Sequence, residues 1–214
     1  MRRRVKSRRV VVAAVAGVFL TFSAFAQQQD LPDALELYRA GEYTRAVEIT
    51  LQELERSPRN MNSYTVLGWS LIALGRYQDA LRYGADGLAI SPNDHRIVQI
   101  VGEAHYRAGN HASALEYLER YVVIAPSGLR IGLVYYHMGE ILIQFAEHHA
   151  ADIALTAAVH HVPNNAVWWT RLGFARESAQ EYPHALAAYD RALSINAAHS
   201  AAIQGRNRVR NILD

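Results

Sequence analysis

Cysteine is absent from the 214 residues, which excludes disulfides, thiolate metal sites, a cysteine nucleophile and a lipid-modified N-terminal cysteine. Lysine occurs once, at Lys6, so any basic face would have to be made of arginine. The arginines are not gathered that way: six of the 22 basic residues, Arg2, Arg3, Arg4, Lys6, Arg8 and Arg9, fall in the first nine positions. Without them 16 basic groups stand against 20 acidic ones, a net −4. A mildly acidic body gives no electrostatic case for nucleic acid. The apolar run from Val10 to Phe22 falls short of the roughly 20 residues that a membrane-spanning helix needs. Nucleophile motifs, phosphate-cradling loops and paired carboxylates in a distinct context are lacking, so neither catalysis nor a cofactor is expected. What is plentiful is core material: half of the residues are hydrophobic and a fifth are charged, a composition that folds.

The first 26 residues have three zones: the basic start, the apolar run VVVAAVAGVFLTF, and Ala24-Phe25-Ala26 before Gln27-Gln28-Gln29. That is the layout of a secretory signal peptide with a small-x-small cleavage site, so residues 1–26 are expected to be removed and the body exported to a bacterial periplasm, with no stable membrane span left. The alternative is an inner-membrane anchor made by residues 10–26 left uncleaved. Ser7-Arg8-Arg9 is faintly like a twin-arginine signal, which chance adjacency explains better in so arginine-rich a start.

Beyond residue 26 the chain repeats itself every 34 residues. Met61 to Asp94 shows the unit: helical patterns on Tyr64, Leu67, Gly68, Leu71 and on Ala80, Leu81, Leu88, parted by Gly75 and closed by Pro92. Gly68 belongs to a column of Ala34, Gly68, Gly102, Gly139 and Gly173, and Ala80 to one of Ala46, Ala80, Ala114, Ala151 and Ala185. Pro58, Pro92, Pro126 and Pro163 form a third, broken by Ala197. A period of this length signals stacked helical hairpins. Each hairpin is expected to bring its Gly68-type and Ala80-type residues face to face across the antiparallel pair. Gly41, Gly75 and Gly109 supply the turn, where Ala146 and Gln180 depart from the pattern.

An aromatic, Leu-Gly, a later Ala and a closing Pro, as in Tyr64, Leu67-Gly68, Ala80 and Pro92, and again in Trp169, Leu172-Gly173 and Ala185, resemble the tetratricopeptide repeat (TPR). The likeness covers about 27 to 199 as five units, 27–60, 61–94, 95–128, 132–165 and 166–199. It implies an all-α, right-handed superhelical solenoid of antiparallel helix pairs. Residues 200–214, with Ile203, Val209, Ile212 and Leu213 among three arginines, read as a helix capping the last repeat. The first unit has a degraded first helix, with Asp30 and Asp33 in apolar columns and Pro32 suited to a first helical turn. Three extra residues near 127–131 lengthen the fourth first helix or its loop.

In TPR proteins one face of each first helix lines a concave groove. By column that face holds Tyr38 and Arg39; Asn62, Thr65 and Trp69; Gln99, Glu103, Tyr106 and Arg107; Tyr136, His137, Glu140 and Gln144; and Thr170, Arg171, Phe174 and Glu177. An aromatic from every repeat, interleaved with Arg and Glu, is the composition of a peptide groove, although such aromatics also serve packing between repeats. The resemblance does not reach the subfamily whose lysines and asparagines clamp a terminal carboxylate, because those columns hold no lysine. Of the ten histidines, the pairs His148-His149 and His160-His161 lie at opposite ends of one helix, roughly 18 Å apart, too far to share an ion. His137 with Glu140, one turn apart, is the best remaining polar pair. The expected function is a non-catalytic adaptor binding a protein or peptide of the bacterial envelope, with self-association open. The alternative is an accessory of an envelope transport system, holding a small apolar ligand in a pocket closed by the 127–131 insertion.

Overall fold

The computed structural model describes residues 31–214, so the leader expected at 1–26 and Asp30 lie outside the described residues. Those described residues contain eleven α-helices and no strand: α1 Ala34–Arg39, α2 Tyr43–Arg56, α3 Met61–Ala73, α4 Tyr77–Ile90, α5 His95–Arg107, α6 His111–Ile124, α7 Ile131–Gln144, α8 His148–His161, α9 Ala166–Ser178, α10 Tyr182–Ile195 and α11 Ser200–Leu213. None is long and apolar enough to cross a membrane. The first ten pair in sequence as antiparallel hairpins that stack into a solenoid, and α11 packs on α9 and α10 as the closing layer. Each odd-numbered helix also touches the next odd one, whereas among the described residues the even ones do not touch one another. The stack therefore bends toward the odd helices, which line its concave side.

Local chemistry sets these boundaries. Asp33, Asn60, Asp94 and Asn165 each cap an odd helix by accepting from backbone N–H groups of its first turn. Asp33 thus ends the chain's entry into α1, and Pro32 lies before the cap instead of inside the first turn. The result is a first helix of 6 residues where α3, α5 and α9 have 13. Within every hairpin the turn is closed by a bond from the third residue past the helix back to its last turn, as in Arg76 N to Leu71 O at 2.8 Å and Glu181 N to Arg176 O at 2.8 Å. That geometry needs a left-handed residue between, and the chain supplies Gly75 at φ +73° but also Ala146 at 59° and Gln180 at 62°. The last two turns keep the conformation of the first three because packing of the hairpin outweighs the local cost.

The glycine column does not face the alanine column. A Cβ added at Gly102, Gly139 or Gly173 would meet Leu118 at 2.9 Å, Leu155 at 2.5 Å or Tyr189 at 2.7 Å, each sixteen residues on, so it is these large side chains that lie in the space glycine leaves. Equal distance from the bend misjudged the stagger of the pair. In the second hairpin the corresponding position is Gly84, and Ile100 of α5 takes the place instead, 2.6 Å from a Cβ at Gly68.

The alanine column has a separate role. Ala46, Ala80, Ala114, Ala151 and Ala185 have no exposed surface at all, seated inside the core of each pair. Ala80→Leu, Ala114→Leu or Ala185→Leu is expected to overpack that contact and cost about 1–3 kcal/mol, read as a lower urea midpoint at an unchanged slope.

The three extra residues divide between loop and helix. Residues 125–130 form a six-residue connection where the other hairpins are joined by four, and α7 has 14 residues against 13. The loop is held by Gly128 N to Ala125 O at 2.9 Å and Ile131 N to Gly128 O at 3.0 Å. Gly128 lies directly against the hydroxyl of Tyr121, leaving no room for a Cβ.

Candidate functional site

On the concave side the predicted residues form two chains of contact. The first starts at Tyr38 on α1, whose ring lies 5.7 Å from Trp69 on α3. Trp69 donates its indole N–H to Gln99 Oε1 at 3.4 Å, and Gln99 donates to Glu103 Oε2 at 2.7 Å. Arg107 and Arg130 approach the Glu103 carboxylate at 3.8 and 3.9 Å, and His137 Nε2 at 4.0 Å. Tyr106 packs its ring 4.4 Å from that of His137. The second chain runs through α7 and α9. Tyr136 stacks on Trp168 at 4.9 Å and 10°, Glu140 accepts from Arg171 Nε at 2.6 Å, and Arg171 lies 5.0 Å over Phe174. Neighbouring hairpins are thus joined across the groove floor, much of it by polar and aromatic contacts.

Not every predicted residue reaches the surface. Tyr38, Trp69, Tyr106, Tyr136, Glu140, Arg171 and Phe174 are half-buried, while Arg39, Asn62 and Arg107 are exposed. Gln99, Glu103 and His137 are 1%, 7% and 2% exposed, so they brace the floor from beneath. Thr65 and Thr170 are buried, with hydroxyls bonded to Met61 O and Ala166 O of their own helices. His137 faces Glu103 and not Glu140, which belongs to Arg171. Asn62 Oδ1 accepts from Arg96 Nη1 at 2.7 Å, a bond between successive odd helices. Glu177 turns toward the cap, accepting from Arg208 Nε at 2.7 Å and from Tyr189 Oη at 2.6 Å.

Burial governs the titration of this floor. Chiefly through desolvation, Tyr136 is pushed up to about 12 and His137 down to about 3, the latter with help from Arg107 and Arg130. The Glu103 carboxylate 4.0 Å away pulls His137 the other way, but two guanidiniums already face that carboxylate, so the downward direction prevails. Both ring nitrogens of His137 are without a hydrogen-bond partner among the described residues.

Two contributors escaped the column reading. Arg130, on the inserted loop, places its guanidinium 4.7 Å over Trp69, and Trp168 supplies the face on which Tyr136 stacks. Arg130 has no counterpart in other repeats, although it is the one acidic or basic residue between Arg120 and Glu140 apart from the uncharged His137. Trp168 is on α9, one position ahead of the aromatic that matches the repeat pattern. Together Tyr38, Trp69, Tyr77, Glu103, Arg107 and Arg130 surround a cavity of about 310 Å³. The loop lines two more, of about 170 Å³ beside Tyr121 and Leu129 and about 600 Å³ beside Val162 and Trp168. Among the described residues no three His, Asp or Glu side chains converge as metal ligands would.

Comparison with known proteins agrees with this architecture. A family model for the tetratricopeptide repeat matches residues 33–95 and 100–128, so this part of the chain carries TPR repeats. A TPR repeat-containing protein of Methanocaldococcus jannaschii is 27% identical over 111 residues, which are 52% of this chain and only 19% of that relative. A crystal structure of MamA superposes with a TM-score of 0.67 at 18% identity, covering 78% of this chain and 95% of that one. MamA of Desulfovibrio magneticus gives 0.67 at 19%, with 78% and 93% covered. YrrB, a TPR protein with an unusual peptide-binding site, gives 0.66 at 19%, with 81% and 88% covered. At such identities the likeness establishes the fold: an all-α TPR solenoid.

Proposed function

We propose that this chain is a non-catalytic scaffold, exported to a bacterial envelope, that binds a protein or peptide segment in its concave groove. The observation that carries the reading is the half-buried ladder of Tyr38, Trp69, Tyr106, Tyr136 and Phe174 on successive odd helices, interleaved with arginine. Rigid aromatics lose little entropy on binding, and guanidiniums set register, so the surface suits an extended segment. The peptide-binding site of the similarly folded YrrB supports it. Export rests on the leader pattern of residues 1–26 alone. Homo-oligomerisation through a solenoid edge is tested by sedimentation.

Trp69→Ala with Tyr106→Ala, in a protein whose helical circular dichroism is unchanged, is expected to lower capture of the partner from an envelope lysate about tenfold or more, in keeping with the loss of two anchors. Unaltered capture sinks the groove. The alternative, a small apolar ligand held by the 125–130 loop, draws on the two cavities that this loop lines. The one beside Tyr121, at about 170 Å³, lies below the roughly 300 Å³ at which ligand pockets begin, while the one beside Trp168, at about 600 Å³, lies above it. An apolar compound carried through native mass spectrometry is the result that would favour it.

A further inference from the structure

We propose that the cavity between Trp69 and Arg107 is a subsite for an acidic side chain of the bound segment, with an apolar neighbour of that residue against Tyr38 and Trp69. This rests on the groove reading above and adds the chemistry of the partner.

The charges are unbalanced in favour of an anion. Arg107 and Arg130 face the cavity with Glu103 as the one carboxylate among its lining residues. Glu103 has its short bond from Gln99, at 2.7 Å, while the two guanidiniums stand off at 3.8 and 3.9 Å, ion pairs too long to be hydrogen bonds. Among the described residues neither guanidinium donates a hydrogen bond, whereas those of Arg96, Arg171, Arg176 and Arg208 all do. Arg130 instead lies with its guanidinium carbon 4.7 Å from the centre of the Trp69 ring, a contact that takes up none of its N–H donors, so they remain for a planar acceptor. His137 adds no charge, being buried and unprotonated at neutral pH. A carboxylate entering between the arginines gains charge-assisted bonds in a partly dehydrated site. A cation there would meet two guanidiniums in front of the one acid. The acidic partner is thus read by Arg130, a residue that only the insertion supplies.

The test measures binding of rhodamine-labelled, C-terminally amidated hexapeptide pools built from Ala, Leu and Phe, with two positions set to Asp/Glu, to Asn/Gln or to Lys/Arg. The acidic pool is expected to bind about tenfold tighter than the amide pool, a difference of one good charge-assisted contact. Arg130→Gln should erase that preference. Glu103→Gln keeps the Gln99 bond, removes the competing negative charge, and should tighten the acidic pool about threefold, a gain that misfolding does not produce. An acidic pool that binds no tighter than the amide pool, or a preference that survives Arg130→Gln, overturns the subsite. If the amide pool binds in a Trp69-dependent way without an acidic preference, the groove stands and the subsite falls. A neutral pool with a free C-terminus that outcompetes the amidated acidic one also overturns it, assigning the arginines to a chain terminus. If no pool binds, the subsite falls, and the lysate capture above decides the groove separately.

Discussion

Tyr189→Ala is expected to lower stability by about 3–5 kcal/mol, the range for removing a buried aromatic ring. The ring is 1% exposed and is gripped from two sides, between Gly173 of α9 and Gly205 of α11, at positions where any Cβ would collide with it. Its hydroxyl donates to Glu177, which Arg208 of α11 also holds, so one side chain ties the last hairpin to its cap. Burial and the Glu177 bond keep the phenol far above its usual range, so it stays a donor at every working pH. Because a solenoid's stability is a sum of neighbour contacts, the damage should be local. Hydrogen exchange is expected to quicken in α9, α10 and α11 while α3 and α5 keep their protection. Tyr189→Phe leaves the packing and both Arg208 bonds, and should cost only about 1 kcal/mol. Uniform loss of protection along the chain would contradict the local tie.

Acidification from pH 7.5 to pH 5 is expected to cost about 2 kcal/mol through His137 alone. The ring is held below its unfolded value of about 6.5. Between the two values the unfolded chain binds a proton that the folded chain refuses, so this contribution is whole above pH 6.5 and shrinks as pH falls toward the folded value. At pH 5 the loss is set by the unfolded ring, about 1.5 pH units at roughly 1.4 kcal/mol each. Urea unfolding of the protein and of His137→Gln at the two pH values isolates the effect: the difference between them should narrow by that amount at pH 5. A difference independent of pH would mean that Glu103, 4.0 Å away, already accommodates the charged ring.

The sequence made the hairpins legible because their punctuation is local. Breakers at Gly41, Gly75 and Gly109 and the proline column fall where the helices stop, and even Ala146 and Gln180 follow, since the period placed a turn there before composition did. Contacts between helices were harder. Counting from the bend matched the glycine column to the alanines, whereas the side chains nearest to it are Leu118, Leu155 and Tyr189, one turn further along the second helix, and in the second hairpin Ile100 of the next unit. On the concave face, angular position along a helix gave the right stripe but could not tell an open residue from one covered by the next repeat. Trp69 and Gln99 lie on one stripe pattern, yet one is half-buried and the other sealed. Arg130 was invisible to any column argument, since it lies where the period breaks.

The second hairpin also bears on whether such units are interchangeable. Where α6, α8 and α10 carry Leu118, Leu155 and Tyr189, α4 has Gly84, with Gly87 one turn further, and the vacancies are taken by Val101 and Ile97 of α5. That hairpin borrows its filling from the one that follows. Recombination that moved residues 61–94 next to a different successor would carry the hole and leave the plug behind, so in this array the boundary that evolution or an engineer can cut cleanly does not lie between the second and third units.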